Sequence, residues 1–341
     1  MATSGSYTYT VSRDTIIRQA MLEIGKLAGT QAPTPQELTD CAVRLNLLVR
    51  QWMGRQDFAP GLKTWTRYHV DLIMSMSKGQ YILSPTGDNW AAGVANIQNP
   101  NLPNLNLFNT TGATASGSPL IQLSPAASAF VTAADFFVAA LSSGDIFSST
   151  VLSVNTGTGV VTLNTNVPSG VTVLSGAQCF DYTTKGQPLL EIQSAVLRDN
   201  QQNDTPLNYM TLQEYEAVPT KVQPNYLSDP TAIYHENQLV SGVRSSTLYL
   251  DVAGAQDVTK TIHIVGLRPV QAFVNPTDNA DYPEEWQLAL TLGTARLIAP
   301  MFNAVWTKEM EGNLQTAVAS ARETIPETTA IYFQCNAEDA I

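Results

Sequence analysis

The sequence predicts an α+β fold with an inserted all-β module, and three observations lead to this fold class. Helices with capping signals lie near both ends of the chain. Between them, residues 88–184 carry only four charged side chains and are rich in Gly, Ser, Thr, Asn and Ala. Alternating or β-branched runs within this stretch and on both sides of it are typical of strands. The sharp change in composition favours a separate β module within a mixed protein.

Two helices are predicted first. Ser12 can cap a helix whose apolar residues recur at helical spacing, and Gly29 follows as a stop signal. The next helix starts in "TPQEL", residues 34–38, which combines a capping box with proline at the first helical position, and it stops before Gly54. The short connection between the two helices predicts an antiparallel helical hairpin.

A β region with an inserted module follows. Two strands are predicted around a turn at Lys78-Gly79. The uncharged stretch then defines a module over residues 86–185, in which two β-branched runs around Asn155–Gly159 predict a hairpin. The module therefore separates residues 1–85, the helical hairpin and first strands, from the remainder of the core.

From residue 186 onward the composition is mixed again. Thr211 starts a capping box and a short helix. The next three strands are interpreted as an antiparallel meander with one solvent-facing side, over residues 231–236, 246–252 and 260–267. With the C-terminal helices they make up the second part of the core, residues 186–325, and residues 326–341 form a C-terminal arm.

The helix predicted in "DYPEEWQLALTLGTARLIAPMF", residues 281–302, is apolar on nearly every side. Asp281 can cap it, and Glu284 suits its first turn. A helix that is apolar all round is buried or pressed between neighbours. After this helix, a last amphipathic helix is predicted from Thr307 to Thr324.

The composition argues against some classes of function. The net charge of −11 makes tight nucleic-acid binding a poor hypothesis, because phosphate neutralisation requires clustered Lys and Arg. Only 14% of the residues are charged, against roughly 25% in a typical soluble domain, so partners are expected to cover part of the surface. We expect no signal peptide and no membrane span, and Cys41, Cys179 and Cys335 are too scattered for a disulfide framework.

Charge is unevenly distributed along the chain. Residues 1–70 carry eight basic and five acidic side chains, whereas residues 275–341 carry three basic and ten acidic ones. Opposite charge on two ends of a subunit can align neighbouring copies or partner rings. A solvated surface without such a role explains the distribution equally well.

No catalytic, cofactor or metal site is predicted. His69, His235 and His263 are each expected to be solitary, since metal sites normally show two or more close ligands. The common nucleotide-binding, hydrolase and metalloprotease motifs are absent from the sequence. Asp14 and Glu23 on the first helix form the carboxylate pair considered for glycosidase-type chemistry, and only their presence supports it.

Several segments together resemble one family of virion proteins. They are "LNLLVRQWMGRQDF", "KTWTRYHVDL" and "GQYIL" near the start, "QPLLEIQSAVLRD", "LQEYEAVPTK" and "STLYLDV" further on, and "YPEEWQLALTLGTARLIAPMF" near the end. Here the chain resembles the head-to-tail adaptor (connector) proteins of short-tailed double-stranded-DNA bacteriophages, also called tail tubular protein A or packaged-DNA stabilisation proteins. The resemblance covers residues 12–85 and 186–305, and the uncharged module departs from it.

The resemblance implies an α-helical bundle with a small antiparallel β-part. It also implies a structural protein without enzymatic activity or cofactor. Such proteins form a twelvefold ring beneath the portal protein, enclose double-stranded DNA without binding it specifically, and support the tail nozzle and fibres. They are assembled in the bacterial cytoplasm and reside in the neck of the virion. Closing a ring requires two different contact surfaces on each subunit.

Two groups of residues are predicted to make contacts of this kind. One group packs the helices and forms the core of the ring, and it comprises Trp52, Tyr282, Pro283, Trp286 and Leu290. The other is the apolar cluster of the C-terminal arm, which the resemblance implies docks on the portal, and it comprises Ile331, Tyr332 and Phe333. Two other functions stay open: a virion-associated cell-wall hydrolase, and a host-binding tail protein that uses the β module.

Overall fold

Strands outnumber helices in this computed structural model, which describes residues 9–54, 66–221, 223, 225–240 and 243–323. The six α-helices of these residues are α1 (Arg13–Glu23), α2 (Pro35–Gly54), α3 (Pro125–Ser128), α4 (Leu212–Ala217), α5 (Gln287–Ile298) and α6 (Lys308–Glu323). The eighteen strands are β1 (Arg67–Ile73), β2 (Gln80–Leu83), β3 (Trp90–Gly93), β4 (Asn106–Asn109), β5 (Leu120–Gln122), β6 (Phe136–Ala140), β7 (Ile146–Asn155), β8 (Val160–Leu163), β9 (Gln178–Tyr182), β10 (Thr184–Lys185), β11 (Glu191–Arg198), β12 (Asp204–Pro206), β13 (Asn208–Tyr209), β14 (Leu227–Ser228), β15 (Ala232–Val240), β16 (Val243–Leu250), β17 (Gly254–Ala255) and β18 (Thr261–Leu267).

The predicted fold class, an α-helical bundle with a small antiparallel β-part and an inserted all-β module, is wrong. The described residues form four sheets, and sheet is the main structure of the chain. The orders are β10-β3-β1-β18-β11-β12, β13-β15-β16-β2, β14-β17 and β4-β9-β6-β7-β8-β5. The prediction underestimated the β content because it took the small β-part from the family resemblance. Several strands, such as β10, β13 and β17, also contain only two residues and give no pattern in the sequence.

The chain divides into two compact units. The helical unit comprises the described residues up to 66 and from 270 onward, and the β unit comprises residues 67–269. The sequence-based boundaries at 85/86, 185/186 and 325/326 stay predictions, and the last of them lies outside the described residues.

Helices α1 and α2 begin where their capping residues predict. The Ser12 hydroxyl accepts from the Thr15 amide at the start of α1. At the start of α2, the Thr34 amide donates to the Glu37 carboxylate at 2.9 Å, and the Glu37 amide donates to the Thr34 hydroxyl at 3.3 Å. The predicted capping box is therefore confirmed.

The predicted end of α1 and the predicted start of α5 need correction. Helix α1 ends at Glu23, a turn before the predicted stop at Gly29, because Gly25 adopts a left-handed φ of 70° that terminates the helix. Asp281 does not cap α5, since its carboxylate accepts from the Gln271 amide at 2.9 Å. A 3₁₀ turn, Glu284–Trp286, precedes α5 instead.

Two sheets of the β unit pack face to face around a shared core. Alternation places Ile262 and Ile264 of β18 in this core, where they meet Leu248 and Leu250 of β16 from the other sheet. The predicted meander is therefore wrong in its third strand, because β18 pairs with β1 and β11 rather than with β16. Likewise β1 and β2 are confirmed as strands, but they belong to different sheets.

All six strands of the second six-stranded sheet lie in the uncharged stretch, including the predicted hairpin of β7 and β8. This sheet is closely attached to the rest of the β unit. One buried cluster joins the two parts, and it comprises Ile73, Ala91, Leu105, Val138, Phe180 and Tyr182. In addition, Asp145 accepts from the Ser75 hydroxyl at 2.7 Å and the Met76 amide at 2.9 Å. Removing the stretch would therefore remove β3 as well and expose the apolar side chain of Ile73 on β1.

Candidate functional site

Four of the five residues predicted to pack the helices gather in the core of the helical unit. Trp286 is fully buried, and its ring lies 6.0 Å from the ring of Trp52 in an edge-to-face arrangement. Tyr282 lies on another side of Trp286 at 6.4 Å, and Leu290 is fully buried one turn along the chain. Pro283 is half-buried just before the 3₁₀ turn. Their additional role in the core of a ring stays a prediction.

Packing within its own subunit explains the apolar composition of α5. It packs against α1, α2 and α6, and eight of its twelve residues are buried. Intramolecular packing is therefore sufficient to explain why this helix is apolar on nearly every side. The apolar composition of α5 alone carries no argument for contacts between subunits.

Several apolar side chains are nevertheless exposed on the helical unit, and two of them are adjacent. On α2, Val43 and Leu47 are 57% and 54% exposed, and their spacing of four residues puts them side by side. Elsewhere, Leu288 at the start of α5 is 60% exposed, and Val305 in the segment after α5 is 79% exposed. The adjacent pair on α2 is suited to a contact with another subunit, whereas Leu288 and Val305 are single exposed residues near opposite ends of α5.

A groove of about 440 Å³ lies between α2, α5 and α6. Its apolar lining comprises Leu48, Trp52, Gly293, Leu297, Leu314, Val318 and Ala319. A side chain at Gly293 would meet Leu48 at 2.8 Å and Trp52 at 2.9 Å, so glycine is needed for the close approach of α2 and α5. The polar residues of the groove include Arg296, whose guanidinium lies 3.2 Å from the Glu311 carboxylate. The groove therefore combines an apolar floor with a charged rim, as ligand sites commonly do.

The predicted portal-docking residues Ile331, Tyr332 and Phe333 lie outside the described residues. The same holds for Cys335. The other two cysteines, Cys41 and Cys179, are fully buried. Burial raises the pKa of the Cys41 thiol to about 11, and it raises the pKa of the Cys179 thiol as well, so neither is a reactive thiolate at neutral pH.

A buried carboxylate organises a polar network in the β unit. Asp71 on β1 accepts from Nδ1 of His263 on β18 and from Nδ2 of Asn104, each at 2.8 Å. The Arg198 guanidinium lies 3.9 Å from the same carboxylate and also forms two hydrogen bonds to Asp204. Because these residues come from four distant segments, the network fixes the order of the sheet and anchors the loop that contains Asn104.

The expectation that each histidine is solitary is wrong for two of them. The rings of His69 and His263 lie 5.7 Å apart on the paired strands β1 and β18. His235, by contrast, contacts the Ser246 hydroxyl at 2.7 Å. Within the described ranges, no group of three or more His, Cys, Asp or Glu side chains could hold a metal ion. The Asp71–His263 pair is therefore best explained as part of the network that holds the sheet together.

The carboxylates considered for glycosidase chemistry are not placed for it. Asp14 and Glu23 are nine residues apart on the same helix, which separates their backbones by about 14 Å along the helix axis. Paired glycosidase carboxyl groups lie only about 5–10 Å apart. Asp14 is also bound to the Arg13 guanidinium at 2.8 Å. This geometry removes the specific support for a hydrolase that the sequence offered.

A second buried carboxylate, Asp181 on β9, has an unusual electrostatic environment. It is completely buried, and its Oδ2 accepts from Asn106 at 3.2 Å, whereas its Oδ1 has no hydrogen-bond partner in the part of the chain that the structure describes. Burial, followed by the nearby Asp135 carboxylate, raises the pKa of Asp181 to about 8. Asp181 is therefore protonated in the folded protein at neutral pH.

This raised pKa predicts that the β unit loses stability as the pH rises. An aspartate in an unfolded chain titrates near pH 4, so between about pH 4 and about pH 8 the folded state holds a proton that the unfolded state has released. The stabilising contribution is complete below this window and is lost across it. We expect the melting temperature of the wild type to fall across the window, and Asp181→Asn to weaken this dependence.

Thermal denaturation at both ends of that pH range measures the effect. Glu216→Gln, at an exposed carboxylate of the same unit, is the matched control. Its melting temperature should depend on pH as that of the wild type does. Identical pH profiles for the wild type and Asp181→Asn would contradict the raised pKa.

Comparison with known protein families and with curated proteins assigns no function to the chain. No protein-family model matches the chain, and no curated protein matches it significantly. In the described ranges, no helix has the length and apolar character required to cross a membrane.

Proposed function

We propose that the chain is a structural subunit of a bacteriophage virion, which forms a ring between the portal and the tail of a short-tailed phage and continues the DNA channel. The resemblance in sequence motivates this function. One structural observation carries it furthest: Val43 and Leu47 lie side by side on α2, and both are exposed. An adjacent pair of exposed apolar side chains is suited to a contact between neighbouring subunits of a ring.

The exposed pair on α2 favours association because this helix is well packed on its other side. Leu45 and Leu48 of α2 are buried, so Val43 and Leu47 are not required for the core of the subunit. Burial of these two side chains between subunits would contribute hydrophobic stabilisation that one chain by itself does not obtain. The low charged fraction of 14% also favours a protein whose surface is covered by partners.

The proposed partners follow from the position of such a ring. They are further copies of the chain, in a ring that is twelvefold in the resembling family, the portal protein on one side, and the tail nozzle and fibres on the other. Double-stranded DNA passes through the ring, and the net charge of −11 suits a channel wall that does not hold the phosphates. The proposed location is the neck of the virion, after assembly in the bacterial cytoplasm.

Electron microscopy of the purified protein, alone and mixed with portal rings of the same phage, tests this function. We expect rings or portal-bound rings for the wild type. The double substitution Val43→Asp and Leu47→Asp should prevent them while leaving the subunit folded, because it places two carboxylates in a contact that is otherwise apolar. Leu152→Asp, at an equally exposed leucine on β7, is the control and should leave assembly unchanged.

The other outcomes are equally informative. A wild-type protein that neither forms rings nor binds portal rings contradicts the proposal. Clearing of peptidoglycan would instead indicate the hydrolase, and binding of the protein to host cells would indicate the host-binding tail protein. Rings of normal stability from the double variant would show that the α2 surface is not a contact between subunits.

A further inference from the structure

The groove between α2, α5 and α6 is a docking surface whose chemistry restricts its occupant. Leu48 and Trp52 on α2, Leu297 on α5, and Leu314 and Val318 on α6 make its floor apolar. Two arginines are among its polar residues, Arg296 and Arg322, and the side chain of Arg296 is 52% exposed. Glu311, which also lines the groove, pairs with Arg296. An apolar segment with acidic flanks matches this combination.

The described part of the chain ends next to this groove. Arg322 lines the groove, and α6 is described up to Glu323, the next residue. The part of α6 that lines the groove, from Glu311 to Arg322, is about 17 Å long. Ile331 follows Glu323 by eight residues, which span up to about 26 Å when extended. The segment around Ile331 can therefore reach every part of the groove from its own subunit.

We infer that, in the isolated subunit, this groove binds residues 331–333 of its own chain. These residues, Ile-Tyr-Phe, are the large side chains of Ala330–Phe333, the longest apolar run between positions 324 and 341. The same stretch contains Glu327, Glu338 and Asp339 but no Lys or Arg, so its charge is opposite to that of the two arginines of the groove. Attachment to α6 gives the segment a high effective concentration at the groove, which favours it over a free competitor.

This binding gives the C-terminal arm two alternative positions. The apolar cluster is held on its own subunit until a larger apolar surface of another protein competes for it. The bound segment would also cover the floor of the groove and thereby reduce non-specific association of free subunits. The inference goes beyond the proposed ring and concerns the subunit alone, so its test requires neither a ring nor a portal.

Disulfide trapping with the native Cys335 provides a direct test. Cys335 lies two residues after Phe333, whereas Cys41 and Cys179 are fully buried and do not compete for oxidation. The variant Ala319→Cys places a thiol in the groove at an exposed position of α6. With diamide as the oxidant, we expect an intramolecular disulfide that forms about tenfold faster, or more, than in a control with a thiol outside the groove.

The control and a second substitution make the test decisive. Asn313→Cys is exposed on the same helix but does not line the groove. Adding Tyr332→Ala and Phe333→Ala to the Ala319→Cys variant should slow its disulfide to the rate of this control. Equal rates for Ala319→Cys and Asn313→Cys would overturn the inference. Covalent dimers in place of a cross-linked monomer would overturn it too, because they would show that the groove binds the segment of a second copy.

Discussion

Replacing Trp286 with alanine is expected to lower the free energy of unfolding of the helical unit by about 3–5 kcal/mol. The side chain is fully buried between Trp52 and Tyr282, and its residue ends the 3₁₀ turn that leads into α5. Alanine would leave a cavity that the neighbouring rings cannot fill without moving, since close-packed interiors relax only partially. Because α5 packs against the three other long helices, the loss should affect the whole helical unit.

Leu288→Ala is the matched control for this prediction. Leu288 lies two residues further along the chain and is 60% exposed, so its truncation should change stability by no more than about 0.5 kcal/mol. Hydrogen exchange followed by mass spectrometry is the appropriate measurement, because it reports on each unit separately and two units need not unfold together. Unchanged protection of α1 and α5 in Trp286→Ala would contradict the packing described above.

The sequence predicted local features better than long-range ones. The capping boxes at Thr34 and Thr211 were found because all their partners lie within three residues. The hairpin of β7 and β8 was found for the same reason. The pairing of β1 with β18 joins residues almost two hundred positions apart, and no local pattern in either strand identifies the other. The order of the strands was missed for this reason, whereas the wrong fold class came from the family resemblance.

For the candidate sites too, features that depend on local spacing were predicted, and features that depend on long-range packing were not. Trp52, Trp286 and Leu290 were predicted as packing residues from helical spacing, and all three are buried. The groove was not predicted, because it depends on how three helices from both ends of the chain come together. The proximity of His69 to His263 was missed because strand register, which the sequence does not state, brings the two rings together.

Replacing Asp71 with alanine is expected to lower the free energy of unfolding of the β unit by about 3–5 kcal/mol, as is typical when one partner of a buried charged network is removed. The side chain of Asp71 is only 2% exposed and accepts from His263 and Asn104. Without it, both donors lose their buried acceptor and the Arg198 guanidinium loses a nearby opposite charge. Asp71→Asn should lower the free energy of unfolding by a smaller amount, because the amide oxygen can still accept one hydrogen bond. Some loss remains, because the amide nitrogen is a donor placed against other donors.

The comparison with Asp204 separates the effect of burial from that of charge. Asp204 binds the same Arg198 through two hydrogen bonds, but its side chain is 40% exposed, so water can replace it. Asp204→Ala should therefore lower stability by no more than about 1 kcal/mol, the usual range for exposed ion pairs. Hydrogen exchange of β1, β11 and β18 measures both variants. Equal losses from Asp71→Ala and Asp204→Ala would show that the arginine pair, rather than the buried carboxylate on β1, holds these strands together.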